Sequence, residues 1–146
     1  MKAFLLILIT AATSFSCSKE NDTPNPDFEN RPELLSGSTE KEWLFHQFFV
    51  ENQDFTSSLE SCKKDDLYRF FASKNYEKDE GSSRCTMSSP QIIENGTWYF
   101  NSAKTTLTFD RSQNSFTVDI ISLTDNELRV SQLVNGARHV LVYLWG

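Results

Sequence analysis

From Thr39 to Gly146 the chain runs through short segments in which apolar and polar residues alternate, separated by turn-forming residues. Period-two alternation puts successive side chains on opposite faces of a β-strand. It predicts eight strands, over residues 42–50, 65–71, 75–78, 96–100, 105–110, 115–123, 127–133 and 138–145. In the sixth, Phe116, Val118 and Ile120 share one face while Thr117 and Asp119 share the other. In the last, Val140, Val142 and Leu144 alternate with Leu141, Tyr143 and Trp145. Both faces of that strand are apolar, so it is expected in the interior of the sheet.

Between the strands stand Asp79-Glu80-Gly81, residues 110–114, Thr124-Asp125-Asn126 and Asn135-Gly136. Asn-Gly between alternating segments is a strong hairpin signature, because both residues tolerate the positive φ of a type I′ turn. Strands joined in sequence by hairpins make an antiparallel meander, and closing it removes exposed edges. The expected fold is therefore all-β, an up-and-down meander of about eight strands forming a small barrel or half-barrel. Residues 39–50 carry two patterns. Thr39 and Glu42 fit a capping box, and Trp43, Leu44 and Phe48 a helical stripe. Trp43, Phe45, Phe48, Phe49 and Val50 are strand formers, which favours a strand after Glu42 with at most a helical turn over 38–41.

The N-terminus has different chemistry. Lys2 precedes a short apolar run ending at Ala12, well under the roughly 20 residues needed to span a bilayer. A basic start, a short apolar core and small residues read as a secretory signal. Ser14-Phe15-Ser16 before Cys17 resembles a bacterial lipobox, with Ser14 where leucine is usual. An ordinary cleaved signal is the alternative. The lipobox implies removal of residues 1–16, acylation of Cys17 and a membrane as partner, each buried methylene adding about 0.8 kcal/mol. Ser18-Lys19-Glu20-Asn21-Asp22 resembles the acidic export signal of surface lipoproteins in Bacteroidota-type bacteria. The expected location is thus the outer membrane, on its periplasmic or cell-surface face. Residues 18–37 hold Pro24, Pro26 and Pro32 among polar residues and read as a tether. The expected organisation is signal 1–16, lipidated cysteine and tether 17–36, and one folded domain 37–146.

Formal net charge is -6, and loss of Lys2 with the signal makes it more negative still. Phosphate binding needs clustered cations, and Lys41, Lys63 and Lys64 form no such patch, which excludes nucleic acid as a partner class. After processing, Cys62 and Cys85 remain. In a small secreted domain a disulfide is expected, closing a loop of about 24 residues and contributing roughly 3 kcal/mol in the chain-entropy model. A metal pair is the rival, but His46 and His139 lie far from both cysteines in sequence.

Cys62-Lys63-Lys64-Asp65-Asp66-Leu67-Tyr68-Arg69-Phe70, Asn75-Tyr76, Arg84-Cys85, Gly96-Thr97-Trp98, Thr106-Leu107-Thr108-Phe109, Val118 to Thr124 and Glu127-Leu128-Arg129-Val130 occur in that order. As a set they resemble the lipocalin-like domain of Bacteroidota lipoproteins, over about residues 34–145. The resemblance implies a barrel or half-barrel and says little about activity. Against true lipocalins the domain is short, has no room for a C-terminal helix, and carries its Gly-x-Trp in mid-chain. These departures argue against a deep ligand cavity.

Twelve Phe in so short a chain admit two readings. One is an apolar calyx lined by Trp43, Phe45, Trp98 and Phe116; the other, favoured, is rings filling a small barrel. Asp65 and Asp66 with Asp79 and Glu80 suggest calcium oxygen ligands, but a turn accepting backbone N–H groups is the simpler role. No nucleophile elbow, phosphate loop or metal spacing is present, so neither an enzyme nor a cofactor is expected. Two functions remain. The first is binding of a small apolar or amphipathic ligand near the membrane. The second is interaction with a protein partner, as a hydrolase or lysozyme inhibitor or an accessory subunit of an outer-membrane complex.

Overall fold

The computed structural model describes residues 29–146; the expected signal, Cys17 and the acidic cluster after it lie outside the described residues. Among the described residues, nine strands follow a short helix, α1 (Arg31–Ser36). They are β1 (Glu40–Val50), β2 (Gln53–Asp54), β3 (Leu67–Phe71), β4 (Asn75–Asp79), β5 (Ile92–Phe100), β6 (Thr106–Asp110), β7 (Ser115–Leu123), β8 (Glu127–Val134) and β9 (Ala137–Trp145). From β3 onward each strand pairs with the next, all antiparallel. β1 pairs with β3 along Glu40–Leu44 and with β9 along Trp43–Val50, so the meander closes on itself. The result is an eight-stranded barrel with β2 as a short addition to the end of β1.

All eight expected strands are present, with ends shifted by a few residues. β5 begins at Ile92 rather than 96, and β2 was not expected at all. The Asn-Gly hairpin is as expected, with Asn135 at φ 52° and Gly136 at φ 83°. Two expectations need correction. Part of the stretch assigned to the tether is ordered as α1, with Pro32 in its first turn, where a missing N–H is harmless. Leu35, on that helix, is fully buried. Residues 38–41 form no helical turn, and the strand is under way at Glu40.

The double pattern of residues 39–50 has a structural cause. β1 shifts register between Phe45 and Gln47, leaving His46 as an extra, bulged residue. Trp43 and Phe45 oppose Trp145 and Tyr143 before the bulge, and Phe48 opposes Leu141 after it. All three therefore point inward at spacing two then three. β7 does the same: its register shifts between Ile120 and Ser122, so Phe116, Val118, Ile120 and Leu123 share the inner face. Bulges increase local twist, which helps a sheet curl into a barrel.

Inward residues form one aromatic-rich core containing Leu35, Trp43, Phe70, Tyr76, Trp98 and Leu107, none more than 1 % exposed. On the outer face Arg69 bridges Glu42 at 2.6 Å and Glu77 at 3.2 Å across three neighbouring strands. Gly96 sits in β5 opposite Tyr76, where a Cβ would stand 2.2 Å from the Asp110 carbonyl oxygen. No side-chain rotation relieves a backbone clash. Gly96→Ala is expected to lower stability by about 1–3 kcal/mol, read as a fall in the urea midpoint at unchanged m-value.

A cavity at the open end of the barrel

The two ends of the barrel differ. At one, α1 acts as a stopper: Trp43 Nε1 donates to the Leu35 carbonyl at 2.8 Å. Lys41 Nζ donates to the Leu34 carbonyl at 2.9 Å and to Asp125 in the β7–β8 turn at 2.8 Å. Arg31 reaches the Lys104 carbonyl in the β5–β6 turn. These bonds tie the helix to three separate parts of the rim, and Leu35 joins the buried core.

The other end holds a cavity of about 440 Å³. Its wall is apolar, from Phe70, Phe109, Phe116, Val118, Leu128 and Val130. Phe109 and Phe116 stack nearly parallel with centroids 4.6 Å apart. Tyr68, Leu141 and Tyr143 continue the wall, and Lys78, Glu94, Arg111 and Gln132 supply its polar groups. A smaller recess of about 160 Å³ shares Lys78, Leu141 and Tyr143 and adds Phe45, Phe48 and Asp66.

The polar groups form two linked pairs. Glu94 accepts from Tyr76 Oη at 2.8 Å on one oxygen and from Arg111 Nη1 at 2.8 Å on the other. Lys78 Nζ stands 3.0 Å from Asp66 Oδ2. The Arg111 guanidinium also lies 4.9 Å above the Phe116 ring, a cation–π contact. Burial pushes the Tyr68, Tyr76 and Tyr143 hydroxyls well above the ordinary tyrosine range. For Tyr76 the bond it donates to Glu94 adds to this. The Tyr143 hydroxyl has no hydrogen-bond partner among the described residues, although the residue is only 8 % exposed.

The two longest connections, β2–β3 and β4–β5, border this end. Cys62, in a 3₁₀ turn over Ser61–Lys63, is bonded to Cys85 in the β4–β5 connection, so the expected disulfide is present. Asp65 Oδ2 reinforces the junction by accepting from Ser82 Oγ at 2.7 Å and the Ser83 N–H at 2.8 Å. Asp79 Oδ1 accepts the Gly81 N–H at 2.8 Å and the Gln91 side-chain amide. These carboxylates hold loops, the simpler of the two roles expected for Asp65. A Glu60 carboxylate oxygen lies within 4.8 Å of both cysteine sulfurs, but the sulfurs are bonded to each other.

Of the four aromatics expected to line a calyx, Phe116 lines the cavity and Phe45 the recess. Trp43 and Trp98 do not line it. Both are sealed in the core, Trp98 donating from Nε1 to the Phe71 carbonyl at 3.2 Å. Tyr68, Lys78, Glu94, Arg111, Gln132 and Tyr143 were missed. For Lys78 a cue existed, since it is in phase with the inward Tyr76. Glu94 fell before the expected start of its strand, and Arg111 fell in an expected turn. His139 packs edge-on against Phe48 at 5.3 Å rather than facing a nucleophile.

Residues 35–130 match the sequence profile of the lipocalin-like domain. The chain belongs to that family. No curated protein shows a significant sequence match to the chain. In this lipocalin-like domain the mid-chain Gly-Thr-Trp has structural work: Gly96 lets strand backbones approach, and Trp98 packs in the core. The match ends at Val130, so Gln132, Leu141 and Tyr143 of the cavity lie beyond it.

The tyrosines make a stability prediction. Tyr76→Phe should cost about 1 kcal/mol, because it strips Glu94 Oε1 of its donor. Tyr143→Phe removes a hydroxyl with no partner and should be neutral or stabilising. Raised tyrosine values mean that above about pH 10 the unfolded chain releases protons that the folded chain retains. Stability is therefore full below that pH and falls as pH rises beyond it. Urea midpoints between neutral and alkaline pH should show this fall, and Tyr143→Phe should make it shallower.

Proposed function

We propose that this protein is a lipid-anchored cell-envelope lipoprotein whose barrel takes up a small apolar or amphipathic molecule through its open end. The observation that carries this reading is the cavity of about 440 Å³, walled by aromatic and aliphatic side chains with a few polar groups. Small-molecule sites have this composition, and volumes of about 300–1,000 Å³ are usual for them. Family membership agrees with a binding module rather than a catalyst. The lipobox resemblance at residues 14–17 supports the anchor on Cys17.

The test uses the full chain with its disulfide formed and anilinonaphthalene sulfonate as a fluorescent probe. Saturable enhancement is expected, and Gln132→Trp, which places an indole in the cavity wall, should abolish it while leaving thermal unfolding unchanged. Enhancement that persists in Gln132→Trp, or none in the unmodified chain, would contradict the proposal.

A further inference from the structure

We infer that the molecule held in the open-end cavity carries a carboxylate, received by Arg111 and the hydroxyls of Tyr143 and Tyr68. This inference rests on the ligand-binding reading above and goes further by naming the ligand's polar group.

The argument is a count of donors and acceptors. Buried polar groups in folded proteins nearly always find partners, and a buried tyrosine hydroxyl usually does. Here several donors in one cavity have none among the described residues. Tyr143 is more than nine-tenths buried and lines both the cavity and its side recess, yet its hydroxyl bonds to nothing. Tyr68 is beside it, ring centroids 5.7 Å apart, and its hydroxyl is equally without a protein partner. Arg111 commits only Nη1 to Glu94, and its Nη2 makes no hydrogen bond to the described residues. Gln132 adds an amide that can either donate or accept.

The carboxylates are already engaged. Both oxygens of Glu94, the carboxylate in the main cavity, are occupied by Tyr76 and Arg111. Asp66 Oδ2 faces Lys78 in the side recess, and its Oδ1, although unpartnered, is walled off from solvent. Each carboxylate is thus engaged or enclosed, while Arg111 and two hydroxyls line the cavity with donors unused. A ligand that brings acceptor oxygens satisfies these groups, whereas an ammonium meets carboxylates that already hold Arg111 and Lys78. Arginine presents planar paired N–H groups suited to a carboxylate, which makes an acid a better match than a neutral carbonyl. The apolar wall then receives the hydrocarbon body.

The test compares three probes with one hydrocarbon chain: decanoate, decanol and decyltrimethylammonium. Binding to the full chain is followed by titration calorimetry at neutral pH and constant salt. Decanoate is expected to bind at least about tenfold more tightly than decanol, with decyltrimethylammonium weakest. Tyr143→Phe and Arg111→Gln should each weaken decanoate by about tenfold and leave decanol within about twofold. Tyr143→Phe keeps the ring, so its outcome does not depend on tolerance of a changed charge. Equal affinities for decanoate and decanol, tightest binding of the cation, or equal losses for both in the variants would overturn the carboxylate inference while leaving a ligand cavity standing. Failure of all three probes to bind would overturn both.

Discussion

The pairing of β1 with β9 is the constraint on which the rest of this structure depends. Seven hairpin-related pairings could make an open, curled sheet, but only Trp43–Val50 against His139–Trp145 joins its two ends. Closure removes the exposed edges that would otherwise invite aggregation. It also creates an inside. β1 pairs with β3 at one part and with β9 over most of its length, and the bulge at His46 lets Trp43, Phe45 and Phe48 all face inward. Without that shift, Phe48 would point outward and the inner surface would lose a ring.

Once closed, the interior is divided by side-chain size and by α1. At the stoppered end Trp43, Trp98, Leu107 and Leu35 are buried to within 1 % of full coverage. Toward the other end the inward positions pass to residues such as Val118, Val130 and Gln132, which do not meet across the barrel, and space remains. Lys78 and Glu94 face each other in register on β4 and β5 at this end. Charged side chains there have partners close by, which is the condition for partly burying them. The disulfide and the Asp65 bonds then fix the two connections that border the mouth.

Much of the fold was legible because period-two alternation is a direct consequence of strand geometry. All eight barrel strands, the Asn135-Gly136 turn and the Cys62–Cys85 bond could be read without coordinates. The bulges could not, because one extra residue imitates helical spacing, as Trp43, Leu44 and Phe48 did. α1 was hidden by composition: three prolines and many polar residues nearby conceal that Leu35 reaches the core with Leu34 packed against it. The site was half legible. Aromatic abundance pointed to the interior but not to which end each ring occupies, and burial is decided by the opposite wall of the barrel. Phe45 and Phe116 face space, whereas Trp43 and Trp98 face other side chains. Tyr143 read simply as apolar patterning on the last strand, and nothing local shows that its hydroxyl lacks a partner.

The account's central claim is that the open end, and not the stoppered end or the outer surface, is where a ligand sits. Methyl-resolved NMR of the full chain titrated with decanoate tests this most directly. Saturable shifts should concentrate on Val118, Leu128, Val130 and Leu141, while Leu35 and Leu107 remain still. Shifts confined to exposed methyls such as Leu133 and Ile121, or none at saturation, would contradict it.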